Sequence, residues 1–211
     1  MSIRAVIFDL GGVVLGSPLH AIRDYEAELG IPEGFVNRVV VDTAPGGAWS
    51  RLERGELAMT GFFDAFEAEC AARGHRLSAR TMMERIGESA APRPAMLEAL
   101  RRLRDAGFGL AALTNNWASE DGARSNAGAD LRPHFDVFVE SAVEGLRKPD
   151  PRIYHLVCRR LEVSPRHAVF LDDIGRNLKP ARELGMTTIR VLEPTRALAE
   201  LSNVLGVTLL A

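Results

Sequence analysis

Several polar groups stand where apolar runs of the chain end. Asp9 falls at the end of IRAVIFDL (3–10), Thr114 and Asn115 close GLAALTNN (109–116), and Asp172 with Asp173 closes HAVFLDD (167–173). Lys148 lies between the last two, directly ahead of Pro149. A single aspartate in such a place is usually a turn residue or a helix cap. Several groups placed alike point instead to shared chemistry. A carboxylate can attack phosphorus and form an aspartyl-phosphate, dividing one hard displacement into two easier ones. The phosphoryl group is itself anionic, so positive charge has to offset repulsion at the nucleophile. Asp9 and Asp173, from different loops, suit Mg²⁺, which takes hard oxygen ligands and keeps several waters. Lys148 would add a compact positive charge. Thr114 can donate its hydroxyl to a phosphoryl oxygen, and loop N–H groups near Asn115 can add more.

These groups meet only if the runs that carry them lie side by side. IRAVIFDL is rich in β-branched and aromatic residues and is stopped by Gly11-Gly12, which reads as a buried parallel strand and a turn. GLAALTNN, DVFVES (136–141), HAVFLDD and TTIRVLE (187–193) read the same way. Helical spacing separates them. Met96, Leu97, Leu100 and Leu103 recur within 94–106 ahead of Gly107, and Ile153, Leu156, Val157 and Leu161 recur within 151–161. Asp150 is the expected N-cap of the latter, with Pro151 at its first position. A shorter helix is expected near 177–185. Strands alternating with helices imply an α/β fold with a central parallel sheet covered on both faces, and such sheets bind ligands at the C-terminal strand edge. Residues 17–90 break the rhythm, with helical patterns at 19–29, 33–41, 60–73 and 78–89 and no convincing strand. The expected organisation is a core domain of residues 1–16 and 91–211, with an α-helical cap of residues 17–90 inserted after the first strand.

The motifs FDLGGVV (8–14), LTNN (113–116), RKPDP (147–151) and FLDDIGRNLKPARELGM (170–186) resemble, in order and separation, those of the haloacid dehalogenase superfamily. With WSRLERGELAMTGFF (49–63) and PRPAMLEAL (92–100), the chain looks more narrowly like the N-terminal phosphatase domain of soluble epoxide hydrolase and the related domains fused to some acyl-CoA dehydrogenases. The resemblance implies a Rossmann-like core with a helical cap and a Mg²⁺-dependent hydrolase acting on a small phosphorylated molecule. It further implies Asp9 as nucleophile, Thr114, Asn115 and Gly12 as phosphate-binding residues, and Lys148 as the neutralising cation. Asp9, Asp173 and the Gly11 carbonyl would hold the metal, with Asp172 and Asn177 behind metal-bound waters. One departure stands out. The superfamily's phosphatases carry a second Asp two residues after the nucleophile as general acid and base, and Gly11 occupies that position here. Losing such assistance slows a reaction by ~10²–10⁴-fold, so a slow phosphatase is expected, best on leaving groups that need no proton. A haloacid dehalogenase-type displacement at carbon, or a phosphate-binding module without turnover, are the competing readings.

The rest of the chain is read blandly. With 26 basic against 28 acidic residues, no basic excess exists to bind nucleic acid. Arg101, Arg102 and Arg104 fit the wet face of a helix. No apolar stretch approaches the ~20 residues needed to span a bilayer, and a cytoplasmic location is expected. Cys70 and Cys158, far apart within helical patterns, are expected as buried thiols. Trp49, Phe62, Phe63 and Phe66 are expected to form the cap's own core, while Trp117 could line the substrate entrance or simply pack. His20 is weighed as a substitute acid and not adopted.

Overall fold

Strand residues point alternately to opposite faces, and here both faces are apolar. The computed structural model describes residues 2–118 and 131–210. Val6 and Phe8 of β1 (Ala5–Phe8) pack on one face with Leu110 and Ala112 of β2 (Gly109–Thr114) and Leu171 of β4 (Ala168–Asp172). Ile7, Ala111 and Phe170 pack on the other face. A strand apolar on both sides must be covered on both sides, which requires helical crossovers and therefore parallel pairing. The sheet is accordingly parallel throughout. With β3 (Val137–Glu140) and β5 (Thr187–Arg190), its order is β3-β2-β1-β4-β5.

That order carries the functional consequence. The chain runs outward from β1 through β2 to β3, then returns to place β4 on the other flank of β1. The direction of progression therefore reverses between β1 and β4, where diverging loops open a crevice at the C-terminal edge. Phe8 pairs with Leu171, so Asp9 and Asp172 leave the sheet side by side. All five expected strands are present. Each is shorter than its apolar run, because the terminal residues turn out into the edge loops.

Among the described residues, helices α1 (Pro18–Glu28), α2 (Phe35–Thr43), α3 (Ala48–Glu53), α4 (Met59–Ala71) and α5 (Ala79–Glu88) follow β1 and gather a core of their own. Trp49, Phe62, Phe63 and Phe66 lie in it, as expected, with Trp49 edge-on to Phe62 and Phe66. Buried Glu26 accepts from the N–H groups of Gly34 and Val36 at 2.7 Å each, fixing the turn into α2. The chain leaves and returns through neighbouring segments, joined by Gly16 N–H to the Ala91 carbonyl (3.0 Å) and Arg93 N–H to the Val14 carbonyl (2.8 Å).

Helix α6 (Pro94–Asp105) covers one face of the sheet. Next come the short α7 (Ser141–Glu144), then α8 (Pro151–Arg160) and α9 (Gly175–Glu183) on the other face, and α10 (Pro194–Leu205) beside α6. Asp150 caps α8 as expected, its carboxylate accepting from Arg152 N–H at 2.9 Å. Among the described residues, three helices escaped the sequence reading. α3 and α7 are too short to show a period, whereas α10 does show one in Ala197, Leu198 and Leu201. Cys70 and Cys158 are both buried free thiols, pushed up by burial to about 12 and about 11, which keeps them protonated and inert. No helix among the described residues is long and apolar enough to cross a membrane.

Candidate active site

Asp9 is the first residue beyond β1, and its carboxylate is held from two sides. Oδ1 accepts from Leu10 N–H at 2.7 Å and from Lys148 Nζ at 2.9 Å. The same ammonium reaches Asp172 Oδ2 at 2.8 Å and sits 5.5 Å from the centre of the Phe170 ring. Lys148 is 1% exposed and Asp172 is fully buried. Such burial is tolerated only because each charge has a partner. Asp172 is satisfied further by Ile174 N–H at 2.8 Å and by Asn177 Nδ2, 3.1 Å from both carboxylate oxygens. Asn177 is itself anchored, since its carbonyl accepts from the Tyr154 hydroxyl at 2.7 Å.

Asp173 completes the group. One oxygen each of Asp9, Asp172 and Asp173 lie within 4.8 Å of one another. At an effective dielectric near 20, two charges at that spacing repel by about 3 kcal/mol. Three carboxylates against one ammonium leave two negative charges uncompensated among these four groups. The titration behaviour follows. Burial, aided by Asp172 and Asp173, holds Asp9 well above the ordinary carboxylate range despite the pull of Lys148. Burial and Asp172 push Asp173 up to about 6. Burial draws Lys148 down, but Asp172 and Asp9 more than offset it, so the lysine ends above its ordinary value. Asp173 Oδ1 is also buried without a hydrogen-bond partner among the described residues. An orphaned buried carboxylate oxygen in a cluster short of two positive charges fits a hard divalent cation such as Mg²⁺.

Two glycines before this cluster have different roles from each other. Gly12 has φ +80°, and a Cβ there would meet Asp173 Oδ2 at 2.2 Å. Its N–H donates to the Gly16 carbonyl at 3.1 Å, and it does not line the cavity over the sheet edge. Gly12 thus makes room for Asp173. Gly11 has an ordinary extended backbone (φ −63°, ψ 124°) and lines the cavity. A Cβ at Gly11 would find Pro18 Cδ at 3.4 Å, a van der Waals contact.

The cavity has a volume of about 220 Å³. Asp9, Thr114, Asn115, Lys148 and Asp173 form its polar end, so the structure brings together residues distant in sequence. Its apolar walls include Leu19, Ile22, Val36, Val40, Met83 and Ile86 from the inserted helices. Trp117 lines it too, while packing edge-on against Trp49 at 6.1 Å between ring centres. The Asn115 side chain is fully engaged by the protein. Its Oδ1 accepts from Lys148 N–H at 2.8 Å, and its Nδ2 donates to the Lys148 carbonyl at 3.1 Å. Contact with an anion would fall to the loop backbone and to Thr114. His20 is exposed and lines no part of the cavity. Sequence reasoning missed Glu53, Arg147 and Arg176, which all line it. Only the position of Arg147 next to Lys148 could have drawn attention to it.

A parallel sheet with an acidic cluster at its switch point, roofed by helices inserted after the first strand, defines a class of hydrolase. The chain belongs to the haloacid dehalogenase-like hydrolase family, whose pattern it matches over residues 3–185. It is 37% identical over 222 residues to bifunctional epoxide hydrolase 2 of Sus scrofa, covering 100% of this chain and 40% of that protein. The chain spans between 19% and 40% of the length of this and three other mammalian relatives. It is 26% identical over 206 residues to the sesquiterpene phosphatase astK of Aspergillus oryzae, covering 96% of this chain and 97% of that one. Its fold is shared with a HAD family enzyme of Bacteroides thetaiotaomicron solved with magnesium and inorganic phosphate (TM-score 0.62, 20% identity, 90% of this chain and 94% of that one).

Proposed function

We propose that the protein is a Mg²⁺-dependent phosphatase in which Asp9 attacks the phosphorus of an organic phosphate carrying an apolar body. The observation that carries this reading is the contact of Asp9 with buried Lys148 at the head of a cavity whose far walls are apolar. Asp9, Asp173 and the Gly11 carbonyl would hold the metal, with Asp172 and Asn177 behind its waters. When bound, Mg²⁺ supplies the positive charge that the cluster lacks and polarises the phosphoryl group.

The chain's own groups account for the rest. Leu10 N–H and Lys148 fix one oxygen of Asp9, leaving the other to attack in line. A bond forms between that oxygen and phosphorus while the phosphorus–ester oxygen bond breaks, giving an aspartyl-phosphate and the leaving group's alkoxide. Lys148 and Thr114 stabilise the charge gathering on the phosphoryl oxygens. With Gly11 in place of an acid, no side chain two residues beyond Asp9 can protonate the departing oxygen. Substrates whose leaving groups depart as stable anions, such as the carboxylate of an acyl phosphate or the phenolate of an aryl phosphate, therefore suit this site. Water then hydrolyses the aspartyl-phosphate. The named phosphatase activity of the fungal relative and the bound magnesium and phosphate of the bacterial enzyme support the reading.

The test is release of phosphate from p-nitrophenyl phosphate and acetyl phosphate with Mg²⁺, and its loss in Asp9→Asn. Absence of turnover on a broad phosphate panel would refute it. Chloride release from 2-haloacids in the presence of chelator would instead favour displacement at carbon, the reading that Gly11 keeps open.

A further inference from the structure

Glu53 belongs to α3 of the inserted helices, yet the residue is 6% exposed and its carboxylate is turned onto the loops of the sheet edge. Oε1 accepts from the indole N–H of Trp49 at 2.9 Å. Oε2 accepts from Arg147 Nε at 2.5 Å and from Asn115 Nδ2 at 3.2 Å. Arg147, 8% exposed, also donates from Nη1 to Ser50 Oγ of the same helix at 3.1 Å. Two apolar layers do not need a buried ion pair in order to dock, and burying one exacts a desolvation penalty. The pair's partners suggest what it is for. Asn115 brackets the main chain of Lys148 at both its N–H and its carbonyl.

A carboxamide can be rotated end for end, and only its neighbours decide which end is nitrogen. A carboxylate solely accepts, so Glu53 reinforces the orientation that the Lys148 N–H and carbonyl require, with Nδ2 of Asn115 towards it and Oδ1 towards the N–H. Glu53 also holds Arg147, the residue before Lys148. We propose that Glu53 is a positioning residue: from the inserted helices it orients Asn115 and Arg147, and through them sets Lys148 against Asp9. Seating of the helices over the sheet edge and placement of the ammonium thus become one event.

The inference rests on the phosphatase reading for its probe, inorganic phosphate with Mg²⁺. The chain's two tryptophans, Trp49 and Trp117, both lie at this joint, so intrinsic fluorescence reports on it directly. Glu53→Gln keeps the shape but removes the charge and the obligatory acceptor. It should weaken phosphate binding, followed by tryptophan emission, by about tenfold, in the range for partners behind ligating groups, and lower kcat alongside. If Glu53 acts in part through Asn115, the Glu53→Gln/Asn115→Ala double variant loses less than the product of the two single losses. Glu26→Gln, which removes a buried carboxylate serving only the inserted helices, should lower the melting temperature and leave phosphate binding unchanged. Should Glu53→Gln not fold, Asn115→Asp sets two carboxylates face to face and should give the same loss.

Parent-level binding and kcat in Glu53→Gln, multiplying losses in the double variant, or an equal loss in Glu26→Gln would each overturn the inference. A parent protein that fails to bind phosphate overturns the phosphatase reading as well. One that binds phosphate while these variants behave contrary to expectation overturns the positioning role alone.

Discussion

Replacing Asp173 by Asn should make the metal-free protein more stable while ending its response to Mg²⁺. Burial and Asp172 raise the Asp173 carboxyl from 3.8 to about 6. The folded state therefore holds this proton more tightly than the unfolded chain does. The associated stability is fully present below the unfolded value and is lost as pH rises through about 6. At pH 7.5 the ionised group thus opposes folding by about 3 kcal/mol, from roughly two units at about 1.4 kcal/mol each. Asparagine has no charge to repel Asp172 and should recover most of that. In a protein of this size about 1 kcal/mol corresponds to roughly 2–4 °C in Tm. Thermal unfolding in chelator at pH 7.5 should therefore show the variant melting about 5–10 °C higher, with the gap closing near pH 4. Added Mg²⁺ should raise the parent's Tm by mass action and leave the variant unmoved. An equal or lower Tm for Asp173→Asn at pH 7.5 would refute the claim that like-charge crowding and burial define this cluster. An equal Mg²⁺ response in both proteins would refute the assignment of Asp173 to the metal.

Three further outcomes follow from the same geometry. Gly11→Asp places its Cβ in van der Waals contact with Pro18 and should raise kcat about 10²-fold or more on alkyl phosphates, whose leaving groups need a proton, with little effect on acetyl phosphate; equal gains on both would show that protonation is not what the site lacks. Gly12→Ala combines a left-handed backbone with a methyl group 2.2 Å from Asp173 Oδ2, and calorimetry should show weakened Mg²⁺ binding. Lys148→Met strips the partner from two buried carboxylates, so denaturant unfolding at pH 7.5 should show a loss of about 3–5 kcal/mol.

Much of this was legible in the sequence for a simple reason. Parallel strands buried on both faces must be written as continuous apolar runs, so Ala5–Phe8, Gly109–Thr114 and Ala168–Asp172 announce themselves, and a polar residue ending each run must fall at one edge. Asp9, Thr114, Asp172 and Asp173 stand out on that logic, whereas Lys148 ends no run and stands out by its place ahead of Pro149. Residues whose meaning comes from contacts across the two layers do not. Glu53, in the charged run Arg51–Glu56, reads as solvated, and nothing nearby reveals an arginine waiting in the loop after β3. The steric role of Gly12 is hidden in the sequence because adjacent glycines look alike until one is seen to face a carboxylate. Helix α10 does carry a period and was overlooked rather than hidden.

The strand that leads to Asp9 is fully buried and is hydrogen-bonded to a neighbour on each side. Its amides should exchange with deuterium only when the whole molecule opens, whereas helices ringed by solvent open far more often. Asp9 is thus anchored to a strand protected on both sides, and opening of the inserted helices would reach it only by way of Glu53, Asn115 and Lys148.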